Sequence, residues 1–134
     1  MADAVSTQVL FESAGEYVAK FTNISDGTGE SAVAKVDVSA LSPAAAEVDI
    51  LKIYYATDGM AVRILFDADT DTVGWLVPQN QHGVFNFTKM PPGMIRNNSG
   101  SGKTGDVLFT TVGHSSGDTY TIILHCRKRT TAEV

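Results

Sequence analysis

Cysteine is almost missing from this chain: Cys126 is the only one. No intrachain disulfide can form, so the fold gains nothing from an oxidising compartment. No apolar run approaches the roughly 18 residues that a membrane-crossing helix needs. Met1-Ala2-Asp3-Ala4 has neither the basic nor the apolar region of a secretory leader. That points to a chain made and kept in the cytosol, or assembled there into something larger. Bases are scarce as well. Ten Lys and Arg stand against fifteen Asp and Glu, a net charge of −5, so a sequence-blind grip on nucleic acid is not expected. The imbalance is uneven: residues 1–75 carry a net −8 and residues 76–134 a net +3. Such a split suits an oppositely patterned neighbour, or two solvated faces.

What is present is short β-rich runs separated by turn residues. With 134 residues and 43% hydrophobic content, the chain can bury one real core and reads as one domain over 1–134. Val5 to Glu12 is the first run, and Ala14-Gly15 breaks it. From Tyr17 to Ile24 the pattern alternates, with Tyr17, Ala19 and Phe21 sharing a face. Ala32 to Val38 is a third run. Ser42-Pro43 opens the only helix-like stretch, a connector of a turn or two. Ile50 to Ala56 and Met60 to Phe66 flank Thr57-Asp58-Gly59, a hairpin signal. Val73 to Val77, Gly83 to Phe87, Val107 to Val112 and Thr119 to Arg127 follow. In the last run Tyr120, Ile122, Leu124 and Cys126 share a face, which makes Cys126 a buried core thiol. Trp75, placed mid-strand, also reads as core. Residues 89–105 form a long loop, and residues 1–4 and 129–134 read as flexible tails. The expected fold is all-β: an antiparallel β-sandwich or jelly-roll-like barrel of eight or nine short strands.

Several apparent motifs lack a partner residue. Gly100-Ser101-Gly102-Lys103-Thr104 resembles a phosphate loop, but Asn97 stands where the first glycine belongs and a strand follows instead of a helix. Asp67, Asp69 and Asp71 resemble the opening of a calcium loop, yet Thr72 and Pro78 occupy the positions of its Gly and Glu. A polar turn accounts for the three aspartates, with a looser calcium site as the alternative. His82, His114, His125 and Cys126 have no metal-ligand spacing, and His125 and Cys126 point to opposite faces of a strand. His114, Ser115 and Asp118 sit in a Gly-flanked turn without a nucleophile elbow. Sequons at Asn23, Asn86 and Asn97 read as chance matches. No catalytic residue, cofactor or metal ligand is assigned.

The segment that stands out is Lys89 to Arg96. Met90, Pro91, Pro92, Met94, Ile95 and Arg96 combine stiffened backbone with residue types favoured in interface cores. Either this loop docks a partner or it folds its apolar residues onto its own sandwich.

Three longer phrases carry a resemblance. Asn23-Ile24-Ser25-Asp26-Gly27-Thr28-Gly29-Glu30-Ser31 runs on to Lys35-Val36-Asp37-Val38-Ser39-Ala40-Leu41. Ile53-Tyr54-Tyr55-Ala56-Thr57-Asp58-Gly59-Met60-Ala61-Val62 leads to Phe66-Asp67-Ala68. Thr104-Gly105-Asp106-Val107 precedes Thr110-Thr111-Val112-Gly113-His114-Ser115-Ser116-Gly117-Asp118-Thr119-Tyr120. From Asn23 to Arg127 the chain resembles small all-β virion proteins of tailed, often marine, bacteriophages, of the head decoration or cement kind. The resemblance implies a structural protein on the outside of the phage head, with the major capsid protein or other virion proteins as partners. It implies self-association, a trimer being one arrangement, no nucleic acid, no membrane and no catalytic residues. A head-fibre base, neck or tail component and a sugar- or receptor-binding β module are the rival readings.

Overall fold

The computed structural model describes residues 4–41, 47–89, 93–95, 104–113 and 115–129. Nine strands follow one another: β1 (Ala4–Glu12), β2 (Glu16–Ile24), β3 (Val33–Val36), β4 (Glu47–Asp58), β5 (Ala61–Phe66), β6 (Thr72–Val77), β7 (His82–Asn86), β8 (Val107–Val112) and β9 (Thr119–Arg129). Single 3-10 turns cover Val38–Ala40 and Phe87–Lys89. The expected all-β sandwich is what forms, as two antiparallel sheets in the orders β1-β2-β9-β4-β7 and β3-β8-β5-β6.

The pairings are nested. β2 pairs with β9, β3 with β8, β4 with β7 and β5 with β6, each antiparallel. Side pairings of β9 with β4 and of β8 with β5 complete the two sheets. Eight strands folded as one long hairpin and rolled up make a jelly roll. β1 is an addition to it, laid along the outer edge of β2.

Period-two alternation sets the core. Along β2 the inward residues Tyr17, Ala19, Phe21 and Asn23 are buried, and along β9 so are Tyr120, Ile122, Leu124 and Cys126. From the facing sheet come Val62, Ile64, Phe66, Val107 and Phe109. Phe109 packs edge-on against Phe21 at 5.4 Å and against Tyr120 at 5.7 Å, so one ring stitches β8 to β2 and β9. At the other side of the roll Trp75 lies 4.7 Å from Phe85 and 4.8 Å from Phe87. Trp75 is half-buried, at the rim of the core rather than inside it.

Some boundaries depart from the sequence reading. β4 begins at Glu47, before the expected Ile50, and a bulge at Leu51 keeps its faces in register with β9. The third run shortens to Val33–Val36 because Asp37 caps a 3-10 turn, accepting the Ser39 N–H. The largest correction concerns the tail: Arg129 belongs to β9, paired with Glu47, and Lys128 is buried. Their charges are held by internal carboxylates, so the strand continues where polarity alone suggested fraying. At the Asp58-Gly59 turn Gly59 has φ +86, and a Cβ there would stand 2.1 Å from the Asp118 carboxylate, so any other residue would be strained and would displace Asp118.

Phe109→Ala should lower unfolding free energy by about 3–5 kcal/mol in denaturant titration, because it empties the contact between the sheets. Cys126 is fully buried, and burial pushes its thiol from the ordinary 9.0 up to about 12, with Asp49 adding to the effect. The native thiol stays protonated while the unfolded one ionises above 9.0. Stability from this group is therefore complete below that pH and lost as pH rises towards the folded value. Tyr17, raised by burial and by Glu12, acts in the same direction. Cys126→Ala should flatten part of this alkaline decline in denaturant melts taken across the range, and native Cys126 should resist thiol reagents until the chain unfolds.

Candidate interaction surface

The charged groups nearest the core are engaged with one another. At one end of the roll Glu30, only 8% exposed, accepts from the Tyr120 hydroxyl at 2.6 Å and from Asn23 Nδ2 at 3.0 Å, and pairs with Lys35 Nζ at 2.5 Å. Asn23 is itself 1% exposed, which closes its sequon to any glycan in the folded state. At the other end Arg129 pairs with two fully buried carboxylates, Glu47 and Asp49, meeting Asp49 through Nε at 2.7 Å and through a second nitrogen at 3.0 Å. Lys128 reaches Glu12 on β1 at 2.9 Å, and His125 meets Glu16 at 2.5 Å. These contacts bind strands to strands.

The apparent motifs resolve in the same way. Thr104 donates its hydroxyl to Asp67 at 2.9 Å, and β8 follows it as a strand. The Ala68 N–H donates to the Asp71 carboxylate at 3.1 Å, which closes the aspartate turn. Asp106 accepts the Val38 N–H at 3.0 Å, and its partial burial raises its carboxyl above the usual range. Asp118 accepts from both the N–H and the hydroxyl of Ser115 within one turn. Among the described residues no three His, Cys, Asp or Glu side chains are grouped to hold a metal ion.

Of the loop residues singled out in the sequence, Met94 and Ile95 are described and are half-buried. Ile95 exchanges both backbone hydrogen bonds with Ile50, at 2.9 and 2.7 Å, and packs against the core. For Ile95 the apolar contact is with its own sandwich. Met90, Pro91, Pro92 and Arg96 lie outside the described residues, as do His114 and residues 100–103.

The exposed apolar surface lies elsewhere. On β1, Val5, Val9, Leu10 and Phe11 are 46–54% exposed, and every residue from Val5 to Phe11 is open to solvent. β1 is the edge strand of the five-stranded sheet, and among the described residues neither of its faces is covered. On the outer face of the larger sheet, Ser6, Thr22, Thr121, Ala56 and His82 line up across five strands and line shallow depressions in it. Ile24, Tyr54 and Val84 rise beside them, all exposed. The alternation of Val5, Thr7 and Val9 resembles a half-buried strand, and nothing local in the sequence shows that these residues stay exposed.

Arg129→Met should cost about 3–5 kcal/mol, since it strands Glu47 and Asp49 without their guanidinium in a buried site. Equilibrium denaturation at neutral pH checks this; a loss below about 1 kcal/mol would show the cluster to be solvated. No protein-family model, no curated protein and no solved structure matches this chain.

Proposed function

We propose that the chain is a structural virion protein that decorates the outer surface of a phage head and stabilises the shell. The observation that carries the reading is the rolled topology of β2 to β9, an architecture that recurs in viral capsid proteins. The phrases from Asn23 to Tyr120 that resemble phage decoration proteins lie on the strands and turns of this same roll. A broad, open sheet face with exposed Ile24, Tyr54 and Val84 suits a protein partner better than a small substrate. On this reading the partner is the major capsid protein, and no cofactor takes part.

The physics is linkage. A protein that binds the assembled shell and not its free subunits stabilises assembly by mass action. Repetition of the binding site over the shell adds avidity to weak single contacts.

Jelly rolls also serve as lectin domains, which keeps a sugar- or receptor-binding role in view. The aromatic group formed by Trp75, Phe85, Phe87 and Tyr55 is the feature that favours it. These rings pack on one another at the core's rim instead of standing clear as a platform, which weighs towards the virion role. A glycan array separates the two.

Expanded phage capsids mixed with the protein should carry it down in sedimentation and rupture at a higher temperature than bare capsids. Absence from the pellet together with an unchanged rupture temperature would overturn the proposal. Hundreds of copies per particle are expected; six or twelve would place the chain at a neck or tail.

A further inference from the structure

β1 carries an unusual combination of features for an edge strand. It is nine residues long, and among the described residues no strand lies beside one side of its backbone. Edge strands are ordinarily protected by charge, proline or shortness. Val5-Ser6-Thr7-Gln8-Val9-Leu10-Phe11 holds no charged residue and no proline. The other three sheet edges differ. β3 has four residues and β7 five. β6 buries Val77 and packs Trp75 against the core, so only one of its faces is open.

The register of β1 on β2 is regular from Ala4 to Val9 and shifts only at Leu10. Within this regular part the side chains of Val5, Thr7 and Val9 lie on the inner face, opposite Asn23, Phe21 and Ala19 of β2. Ser6 and Gln8 lie on the outer face. The pattern reads the same in both directions: valine, polar, threonine, polar, valine. A two-fold axis through Thr7, normal to the sheet, sets Val5 against Val9 of a second copy, Thr7 against Thr7, and Ser6 against Gln8. Thr–Thr pairing is among the favourable cross-strand combinations, and valine faces valine at the two ends of the pattern. No like charges meet, which matters for a chain of net charge −5. Glu12, the one acid at the strand's end, is held by Lys128 and lies far from its symmetry mate.

We infer that β1 is a self-recognition edge, through which two copies of this chain pair antiparallel about a two-fold axis at Thr7. The two five-stranded sheets then run on as one of ten strands. Val5 and Val9 of both copies, all exposed in the single chain, then gather into one apolar stripe on the inner face of the joined sheet. A symmetric interface of this kind is isologous and closes at two copies, so it ends in a dimer and not a filament. The inference concerns β1 alone and stands apart from the capsid reading, because its test uses the free protein.

The full chain is examined by sedimentation equilibrium and by light scattering after size exclusion. A mass twice that of the 14.3 kDa monomer is expected. Thr7 is exposed, so Thr7→Lys leaves the core untouched while setting two ammonium groups face to face across the axis. Thr7→Lys should weaken the dimer at least about tenfold with unchanged far-UV circular dichroism. Thr7→Val should keep the dimer. Leu76→Lys, on the outer face of the β6 edge, should not disturb it. Backbone amides of residues 5–9 should gain hydrogen-exchange protection as protein concentration rises. A monomeric wild-type chain at hundreds of micromolar, a dimer that survives Thr7→Lys, or one that Leu76→Lys dissolves would each overturn the inference.

Discussion

The roll depends on β9 being hydrogen-bonded along both edges. Thr119 to Arg127 lies against Ile24 to Glu16 on one side, and Thr119 to Arg129 lies against Asp58 to Glu47 on the other. A central strand buried this way satisfies its backbone donors and acceptors without water. It also joins the chain's beginning, middle and end in one sheet. The nested pairs cannot close until this last strand has been made. Folding of such a topology is governed by non-local pairing, which is intrinsically slow. The polar clusters at the two ends of the roll act on the same strand. Tyr120 and Arg129 belong to β9, and each anchors buried carboxylate groups.

Those clusters explain how an acidic chain tolerates charge inside. Buried ion pairs add little stability over a well-packed apolar alternative, since desolvation offsets much of their attraction. They do exclude wrong registers. A slip of β9 by one residue would turn Arg129 away from Glu47 and Asp49 and move Tyr120 away from Glu30. It would also flip every core side chain to the solvent face. Here, packing and charge specify the same alignment.

Most strand faces were legible in the sequence, because alternation over Tyr17–Phe21, Met60–Phe66 and Tyr120–Cys126 is a local property. The hairpin at Asp58-Gly59 was legible for the same reason. Sheet order was not. Nothing near Glu16 shows that it will face Arg127, more than a hundred residues on. Arg129 looked like tail because its two acidic partners are distant in sequence. Trp75 reads as core by its place in a strand, yet β6 is an edge strand and leaves it at the rim. The exposure of β1 was hidden by the same limitation. Val5, Thr7 and Val9 alternate as a half-buried strand does, and only the three-dimensional arrangement reveals that no strand among the described residues covers them.

Two features of the surface therefore have one structural origin. The jelly roll uses eight strands, and the ninth has nowhere to bury a face. A strand so placed is a liability in a free monomer. Paired with its symmetry mate it becomes the centre of a larger sheet, and it brings two copies of the outer row of Ser6, Thr22 and Thr121 onto one continuous surface. On the virion reading this doubles the contact presented to a repeating shell. Linked sites that engage together gain an effective concentration that neither has alone. Weak contact by each sheet face is then sufficient.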